Sequence, residues 1–357
     1  MKPKKHSEPK SRKSAEKKIS LTPVRLLASC KNTDVKVPVL ESVNDLARKY
    51  RGLYKLNLSL QKCTKRAVPL CEETHHKLVE WERSISKICL SDPVIAVENM
   101  VDNEGPPEDF TYIRESITSR LAGSMINFDE SFLVPCECSR DLCTKRSCLC
   151  PKNNNAVFAY DKLKRILLEP GSPIYECNKL CKCGNDCTNR VIQKGLNARV
   201  CIFRTENGRG WGLKAREFIK KGRFVVEYVG EIITNDEAEE RGKMYDAIHQ
   251  TYLFDLDFND RDAPVFTIDA FKYGNVSHFI NHSCDPNLHV YSAWVDTPDP
   301  RLPRIGLFAK RDIHVSEELT FDYMNMSESQ GDGGGQNMST RGFLCACGSE
   351  KCRTFMF

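Results

Sequence analysis

The chain has 357 residues, enough for two or three domains, and 40% of them are hydrophobic. No run approaches the roughly eighteen apolar residues of a membrane span, and the lysine-rich N-terminus lacks the apolar core of a secretory signal. The composition therefore predicts an intracellular protein with no membrane contact. The formal charge of +5 is too small to indicate nucleic-acid binding by itself.

Residues 1–40 are predicted to form a flexible basic tail. Residues 1–18 hold eight Lys or Arg against two Glu, and such a block of like charge is typical of a solvated, disordered segment. Two further roles of the tail stay open: a nuclear-import signal, and an arm that contacts DNA or RNA directly.

Helical periodicity follows in residues 41–92, where apolar residues recur on one face of a helix in two stretches. These residues are Val43, Leu46, Ala47 and Tyr50 in the first stretch and Leu78, Trp81, Ile85 and Ile88 in the second. Plain packing helices are the favoured interpretation, and a face that binds a partner is the alternative.

After the acidic, turn-rich sequence DNEGPPEDF (102–110) and a region rich in cysteine, the pattern becomes strand-like from about residue 199. RFVVEYVGEII (223–233) predicts a pair of strands, and TYLFDLDF (251–258) alternates with period two. Between them, Thr234 and Glu237 predict a capping box that opens a helix running through about Ile248. The Gly/Ser-rich stretch 327–341 predicts a mobile loop.

The 18 cysteines are concentrated, with nine in 136–187 and three in 345–352. In a reducing compartment this crowding favours metal thiolates over a disulfide framework. The nine are Cys136, Cys138, Cys143, Cys148, Cys150, Cys177, Cys181, Cys183 and Cys187. With four ligands to each zinc ion, they fill two sites with one sulfur left over, or three sites if three sulfurs each bridge two metals. The near-symmetric halves of the pattern favour the shared cluster.

The last group, CACGSEKC (345–352), supplies only three ligands: Cys345, Cys347 and Cys352. A fourth ligand must come from elsewhere, and Cys284 in FINHSCDPN (279–287) is the candidate. Cys201 competes for this role, but it lies in the apolar run VCIF, where a small buried hydrophobic residue is expected.

Several motifs follow one another in a characteristic order. The nine-cysteine cluster precedes GRGWG (208–212), EYVGE (227–231), FINHSCDPN (279–287), ELTFDY (318–323) and CACGSEKC (345–352). In this order the chain resembles the SET-domain protein lysine methyltransferases with pre-SET, SET and post-SET segments. The pre-SET spacing and YLFDLD are most similar to the suppressor-of-variegation 3-9 group, which acts on lysine 9 of histone H3. The resemblance covers roughly 94–357, and residues 1–92 show no convincing form of the chromodomain that this group usually carries.

The resemblance implies a mostly β fold with short helices, in which NHSCDPN and ELTFDY form a knot-like crossing. It also implies three zinc ions in the pre-SET cluster and one in the post-SET site. The chain then divides into a basic tail (1–40), a helical N-terminal region (41–92), an N-flank (93–131), a pre-SET zinc cluster (132–190), a SET catalytic domain (191–325), a flexible loop (326–340) and a post-SET zinc segment (341–357).

The implied methyl donor is S-adenosyl-L-methionine. By resemblance it would be held by Arg209, Gly210, Trp211, Tyr252, Asn281, His282 and Phe343, with Leu344 beside its adenine. Tyr323 matches the family's active-site tyrosine, and Tyr228 would be a second hydroxyl in the lysine channel. Phe321 occupies a position that is often Phe or Tyr in these enzymes; because Phe leaves room for the amine to turn, the resemblance implies di- and trimethyl products.

The implied partner is the histone H3 tail in the nucleosome. Acidic residues lie on or beyond the strand YLFDLDFNDRD, where an extended basic peptide could add to the strand edge. They are Asp255, Asp257, Asp260 and Asp262, and ordinary solvated acids are the alternative. Contacts with heterochromatin proteins through the N-terminal region stay open. The implied location is the nucleus, on heterochromatin, with a role in gene silencing.

Three other functions compete with the methyltransferase. A non-catalytic scaffold with a degenerate SET fold is disfavoured, since Tyr323, Asn281 and His282 are intact. A cysteine hydrolase would use Cys284 with His282, but residues two apart are poorly spaced for a nucleophile and its base. A zinc-dependent nucleic-acid binder is disfavoured because the clusters lack the His ligands and long spacer of finger modules.

Overall fold

Pairing between distant segments dominates the architecture. The computed structural model describes residues 70–89, 93–138, 143, 148–151, 157–247, 252–256, 265–324 and 343–356, all within one unit spanning Tyr50–Phe357. The basic tail, the first helical stretch at 43–50 and the predicted loop 327–341 lie outside the described residues. No helix among the described residues is long and apolar enough to cross a membrane.

The helices are few and short. They are α1 (Glu72–Ile88), α2 (Arg120–Met125) and α3 (Asn235–Ala247), with 3-10 turns at Glu130–Phe132, Ile192–Lys194 and Val276–Phe279. The first strands are β1 (Ile95–Glu98), β2 (Thr111–Tyr112), β3 (Ile117–Thr118), β4 (Ile174–Tyr175), β5 (Val200–Arg204), β6 (Trp211–Ala215), β7 (Phe224–Tyr228) and β8 (Glu231–Thr234). The later strands are β9 (Leu253–Asp255), β10 (Phe266–Asp269), β11 (Tyr273–Gly274), β12 (Asn281–His282), β13 (Leu288–Trp294), β14 (Arg304–Ala309), β15 (Thr320–Phe321), β16 (Phe343–Leu344) and β17 (Phe355–Met356).

Three small sheets enclose the main core of the described part of the chain. Their strand orders are β1-β5-β6, β3-β8-β10-β9 and β4-β13-β14-β7. All five residues of β7 are buried, as expected for a strand covered on both faces. Three two-stranded pairs complete the described architecture: β2 with β11, β12 with β15, and β16 with β17. The prediction of a mostly β fold with short helices is confirmed.

Helix α1 confirms the second helical stretch, and its local sequence explains where it begins. The Cys71 side chain accepts a hydrogen bond from the Thr74 amide, and Glu72 and Glu73 place negative charge in the first turn. Leu78 and Ile85 are buried. Ile88 is the last residue of the helix and is 44% exposed.

One face of helix α1 packs against other elements of the described part of the chain. The Trp81 ring contacts the rings of Trp211 and Phe279 edge-on, with centroids 5.9 Å and 5.7 Å away. Helix α1 thus packs against β6 and against the 3-10 turn before β12, which are the elements that carry GRGWG and FINHSCDPN.

The capping box at the start of α3 is confirmed. The Thr234 amide donates to Glu237 Oε2 at 2.9 Å, and the Glu237 amide donates to Thr234 Oγ1 at 3.3 Å. The Ser119 hydroxyl donates to the same carboxylate oxygen at 2.8 Å. One side chain therefore stabilises the start of α3 and ties it to the segment before α2.

Substitution Glu237→Ala should lower the free energy of unfolding by about 1–2 kcal/mol, since the loss of the carboxylate leaves these donors without their acceptor. Chemical denaturation followed by circular dichroism measures this change. Glu239→Ala is the matched control, because Glu239 lies on the same helix and is exposed; equal effects of the two substitutions would contradict the assigned role.

Candidate active site

Two short segments from distant parts of the chain are held side by side. Strands β12 and β15 pair in parallel, with Asn281 opposite Thr320 and His282 opposite Phe321. Asn287 secures the pair: its Oδ1 accepts from the Thr320 amide at 2.9 Å, and its Nδ2 donates to the Glu318 carbonyl at 2.8 Å. FINHSCDPN and ELTFDY are thereby fixed relative to each other.

A small pocket of about 50 Å³ opens beside this pair. It is lined by Tyr228, Tyr252, Leu253, Phe254, Ser277, His278, Ile280, Phe321 and Tyr323. The Phe321 ring is packed between two tyrosines, with centroid distances of 4.8 Å to Tyr323 and 6.2 Å to Tyr228. The walls are therefore mostly aromatic.

Two of the three tyrosines that line the pocket donate their hydroxyl protons to backbone carbonyls. Tyr323 Oη donates to the Ile280 oxygen at 2.7 Å, and Tyr228 Oη donates to the Tyr252 oxygen at 2.9 Å. These bonds fix both side chains and leave the lone pairs of their oxygens free to accept.

Burial keeps the pocket uncharged near neutral pH. It raises the pKa of Tyr323 and of Tyr228 well above the ordinary tyrosine value. Burial lowers the pKa of His278 to about 4 and also lowers the pKa of His282. Both tyrosines are therefore protonated phenols and both imidazoles are neutral, so none of these four groups is a base poised near pH 7.

A cluster of hydrogen-bonded polar side chains lies next to the pocket. Arg209 Nη2 donates to Glu318 Oε2 at 2.5 Å, and Asn281 Nδ2 donates to Glu318 Oε1 at 3.0 Å and to the Trp211 oxygen at 3.1 Å. Arg209 Nε is buried and has no hydrogen-bond partner among the described residues. Such a group is costly unless a ligand or water pairs with it, so this cluster is suited to a polar ligand.

His282 connects the pocket to the C-terminal cysteines. Its Nδ1 accepts from the Tyr323 amide at 3.2 Å, and its Nε2 lies 3.3 Å from Cys284 Sγ. Because Nδ1 accepts, a neutral ring carries its proton on Nε2 and donates toward the sulfur. An imidazole oriented in this way is a common support for a metal-bound ligand.

The C-terminal cysteine group is completed by Cys284. The sulfurs of Cys284, Cys345, Cys347 and Cys352 all lie within 4.8 Å of one another, and the Cys284 and Cys345 sulfurs are 3.8 Å apart. Four sulfurs bound tetrahedrally at about 2.3 Å from one zinc ion are about 3.8 Å from each other, whereas a disulfide requires about 2.05 Å. The arrangement fits a metal ion.

The nine cysteines of 136–187 form one buried cluster together with Phe158. Three overlapping groups of four sulfurs each fall within 4.8 Å, and Cys136 belongs to all three groups. Sulfur separations of 3.5–3.6 Å join Cys136 to Cys143, Cys143 to Cys177, and Cys150 to Cys181. All described cysteines are free of disulfides. Overlap of this kind fits shared, bridging ligands better than separate sites.

Cys201, the competing candidate for the fourth ligand of the C-terminal group, is a core residue instead. It is fully buried in β5, and burial raises the pKa of its thiol to about 12. It is a neutral, inert core residue.

The structure brings together most of the residues that the sequence singled out. Tyr228, Tyr252, Phe321 and Tyr323 share the pocket, while Arg209, Trp211 and Asn281 share the cluster on Glu318. Phe343 lies in β16, which pairs with β17. Of the four acids on YLFDLDFNDRD, Asp255 is described; Asp257, Asp260 and Asp262 lie outside the described residues.

Sequence reasoning missed Glu318, His278 and Ser277. Glu318 opens ELTFDY, so the motif contained a signal for it, but its two partners are distant in sequence. His278 precedes FINHSCDPN and stacks on Tyr252 with centroids 4.3 Å apart.

Comparisons with known proteins agree with this geometry. The SET-domain family model matches residues 210–324, and the pre-SET motif model matches residues 89–190. Histone-lysine N-methyltransferase SUV39H2 of Gallus gallus is 47% identical over 284 residues, which cover 78% of this chain and 67% of that protein. The Neurospora SET-domain protein DIM-5, a histone lysine methyltransferase, superposes with a TM-score of 0.58 at 33% identity, covering 68% of this chain and 99% of that one. KRYPTONITE, solved with mCHH DNA, an H3(1–15) peptide and SAH, superposes at 0.60 with 30% identity, covering 75% and 52%.

Replacing Cys284 with Ala should release one metal ion per chain, because three sulfurs remain where a tetrahedral site needs four ligands. Elemental analysis of the purified protein measures the metal content. Cys201→Ala is the control and should keep the full content; an unchanged content in Cys284→Ala would exclude Cys284 as a ligand.

Proposed function

The chain belongs to the SUV39H group of SET-domain histone-lysine methyltransferases, and from that premise we propose that it methylates lysine 9 of histone H3, with di- and trimethyl products. The observation that carries the proposal is the aromatic pocket with its two tyrosine hydroxyls, placed directly beside the Arg209–Glu318–Asn281 cluster. The pocket fits a lysine side chain, and the cluster fits a polar cofactor.

The cofactor assigned to the cluster is S-adenosyl-L-methionine. Its sulfonium would supply the methyl group. We assign Arg209, Gly210, Trp211, Tyr252, Asn281, His282 and Phe343 to its binding. The unpartnered Arg209 Nε supports this assignment. Gly210 has a φ of +76° and its oxygen accepts from the Thr205 amide at 2.9 Å, so the backbone of GRGWG turns tightly beside the cluster.

The residues of the pocket act by alignment and by exclusion of water. An amine with an ordinary pKa of about 10.4 is mostly protonated at neutral pH and cannot attack. An apolar pocket disfavours the charged form, and the lone pairs on Tyr228 and Tyr323 can accept hydrogen bonds from the amine and orient it. Aromatic walls also tolerate a cation, including a methylated ammonium.

The histone tail is proposed to add along β9. Among the described residues this strand is the outer member of the sheet β3-β8-β10-β9, so its outer edge is the one offered for main-chain hydrogen bonds to an extended peptide. Asp255 at its end is exposed, and its Oδ1 accepts from the Thr267 hydroxyl at 2.7 Å. A carboxylate held at the edge would attract the Lys and Arg residues of the tail.

The cysteine groups are proposed to hold zinc: three ions in the nine-cysteine cluster and one on Cys284, Cys345, Cys347 and Cys352. The sulfur separations support tetrahedral thiolate coordination.

We further propose the domain boundaries that the motifs imply, a nuclear location on heterochromatin, and a role in gene silencing. Heterochromatin proteins and nucleic acid are proposed as additional partners of the N-terminal region.

The test is methylation of a histone-tail peptide array with labelled cofactor, read by mass spectrometry. The expected product is an H3 peptide carrying two or three methyl groups on lysine 9. Labelling of another lysine alone would contradict the proposed target, and absence of any labelled peptide would contradict the proposed reaction.

Tyr323→Phe should reduce methyl transfer about a hundredfold, because the pocket loses both the hydroxyl beside the amine and the bond that fixes the ring to Ile280. Initial rates with a radiolabelled cofactor measure the loss, and a thermal melt shows whether the protein stays folded. Tyr291→Phe is the control, because its hydroxyl bonds to the Leu168 oxygen away from the pocket. Turnover retained by Tyr323→Phe would remove this residue from the proposed role.

Phe321→Tyr should shift the products toward monomethyl-lysine. The added hydroxyl would enter the space between Tyr228 and Tyr323 and restrict the turning of a methylated amine. Mass spectra at completion measure the distribution. Monomethyl product alone from the unaltered protein would contradict the product proposal.

The rate at subsaturating peptide should rise about tenfold per pH unit between pH 6 and 9, since the reactive species is the deprotonated lysine. The pKa values of Tyr323 and Tyr228 are raised above the ordinary tyrosine value and that of His278 is lowered to about 4, so these three groups do not change charge in this window. A descending limb below pH 9 in the logarithm of kcat/KM would reveal an essential protein acid and contradict the proposed mechanism.

A further inference from the structure

Helix α1 brings an aromatic side chain to the GRGWG turn from outside both family models. The pre-SET model matches residues 89–190 and the SET model matches residues 210–324, whereas α1 spans Glu72–Ile88. The rings of Trp81 and Trp211 meet in a T-shaped contact, with centroids 5.9 Å apart and an interplanar angle of 63°. Because Trp211 is one of the residues assigned above to the cofactor, α1 contacts the cofactor site although it precedes both matched regions.

Two adjacent residues of α1 attach the helix to both outer strands of the described sheet β1-β5-β6. Glu82 Oε2 accepts from the Val97 amide in β1 at 2.8 Å, and Trp81 contacts Trp211 at the start of β6. The Trp81 ring also meets the buried Phe279 ring in a T-shaped contact, at 5.7 Å. Trp81 is therefore a rigid support, since its own position is fixed by neighbours on two other elements.

A second connection runs from the start of α1 to the same Trp211 ring. The Cys71 amide donates to Asn103 Oδ1 at 2.8 Å, and the neighbouring Asp102 accepts from Arg204 Nε at 2.9 Å. The guanidinium carbon of Arg204 lies 5.8 Å from the centroid of the Trp211 ring, within reach of a cation–π interaction. The Trp211 ring is thus held by one aromatic contact and one cation.

The backbone of Trp211 connects this support to the polar cluster. Its oxygen accepts from Asn281 Nδ2 at 3.1 Å, and the same nitrogen donates to Glu318 Oε1 at 3.0 Å. Ring and carbonyl belong to one residue, so a ring that loses its support lets the carbonyl shift away from Asn281. The order of the cluster then depends on the contact between Trp81 and Trp211.

We propose that Trp81 is a positioning residue for the cofactor, holding Trp211 and through it the Asn281–Glu318 pair in the arrangement that binds S-adenosyl-L-methionine. The inference rests on the proposed function, which assigns Trp211 and Asn281 to the cofactor. Without a ring at position 81, Trp211 gains rotamers in the unbound protein, and binding must immobilise it again. Immobilising one such side chain weakens binding about fivefold.

The experiment measures the dissociation constant of S-adenosyl-L-homocysteine, the cofactor without its methyl group, by calorimetry. Trp81→Leu should bind it about fivefold more weakly than the unaltered protein. The KM for S-adenosyl-L-methionine should rise by the same factor while kcat stays within twofold, because Trp81 acts on binding rather than on the reacting groups. Trp81→Phe keeps a ring for the contact and should restore binding to within twofold. A thermal melt shows which variants are folded; if Trp81→Leu is not, Trp81→Met fills more of the space, lacks the ring and should show the same loss.

Phe110→Leu is the matched control. Phe110 also contacts the Phe279 ring, at 5.2 Å, but its other ring contact among the described residues is with His278. This variant should lower the thermal midpoint without changing the dissociation constant of S-adenosyl-L-homocysteine.

An unchanged dissociation constant in the folded variant without a ring at position 81 would overturn the proposal. An equal loss in Phe110→Leu would also overturn it, because the weakening would then come from a general loosening around Phe279. A loss that Trp81→Phe does not restore would exclude the aromatic contact as the cause. In these three cases the unaltered protein still binds the cofactor, so the proposed function stands; if the unaltered protein binds no S-adenosyl-L-homocysteine, the cofactor assignment fails and this proposal fails with it.

Discussion

The parallel pairing of β12 with β15 is the constraint on which the candidate site depends. Each strand contributes only two residues, which is too short a ladder to persist alone. The Asn287 side-chain amide extends it by bonding to the Glu318 carbonyl and to the Thr320 amide, on both sides of Leu319. Because the pair is fixed, Glu318 faces Asn281, and Tyr323 lies where its hydroxyl reaches the Ile280 carbonyl.

The same segment makes the C-terminal cysteines part of the active site. Asn281 belongs to the polar cluster, and His282 Nδ1 accepts a hydrogen bond from the Tyr323 amide. Cys284 lies with the sulfurs of the C-terminal cysteine group. Arg353 reinforces the connection, since its guanidinium donates to both Asp322 oxygens at 2.6 Å and 2.7 Å while its amide donates to Cys284 Sγ at 3.3 Å. A metal bound here would thus hold Cys284 to the C-terminal segment that carries Arg353, and its loss would loosen the pocket and the cluster together.

Much of the fold and of the candidate site could be predicted from the sequence, because motif order and hydrophobic periodicity can be read from it directly. The capping box of Thr234 with Glu237 and the strands of RFVVEYVGEII needed only neighbouring residues. Glu318 could not be singled out, since its importance depends on the distant groups that bond to it. The exposure of Ile88 could not be predicted for a related reason: helical period places it on the apolar face, but it is the last residue of α1 and is 44% exposed.

Charge explains why a pocket of this composition suits the proposed reaction. Burial shifts the pKa of the tyrosines upward and that of the histidines downward, so the walls stay neutral across the range in which a lysine amine loses its proton. A fixed charge would either repel the incoming cation or hold it in its unreactive protonated form. Neutral hydroxyl oxygens and aromatic faces avoid both outcomes, because they orient the amine and still admit an ammonium whose charge survives each added methyl group. The selectivity of such a pocket would then come from space and hydrogen bonding, because Phe321 lacks the hydroxyl that a tyrosine would place between Tyr228 and Tyr323.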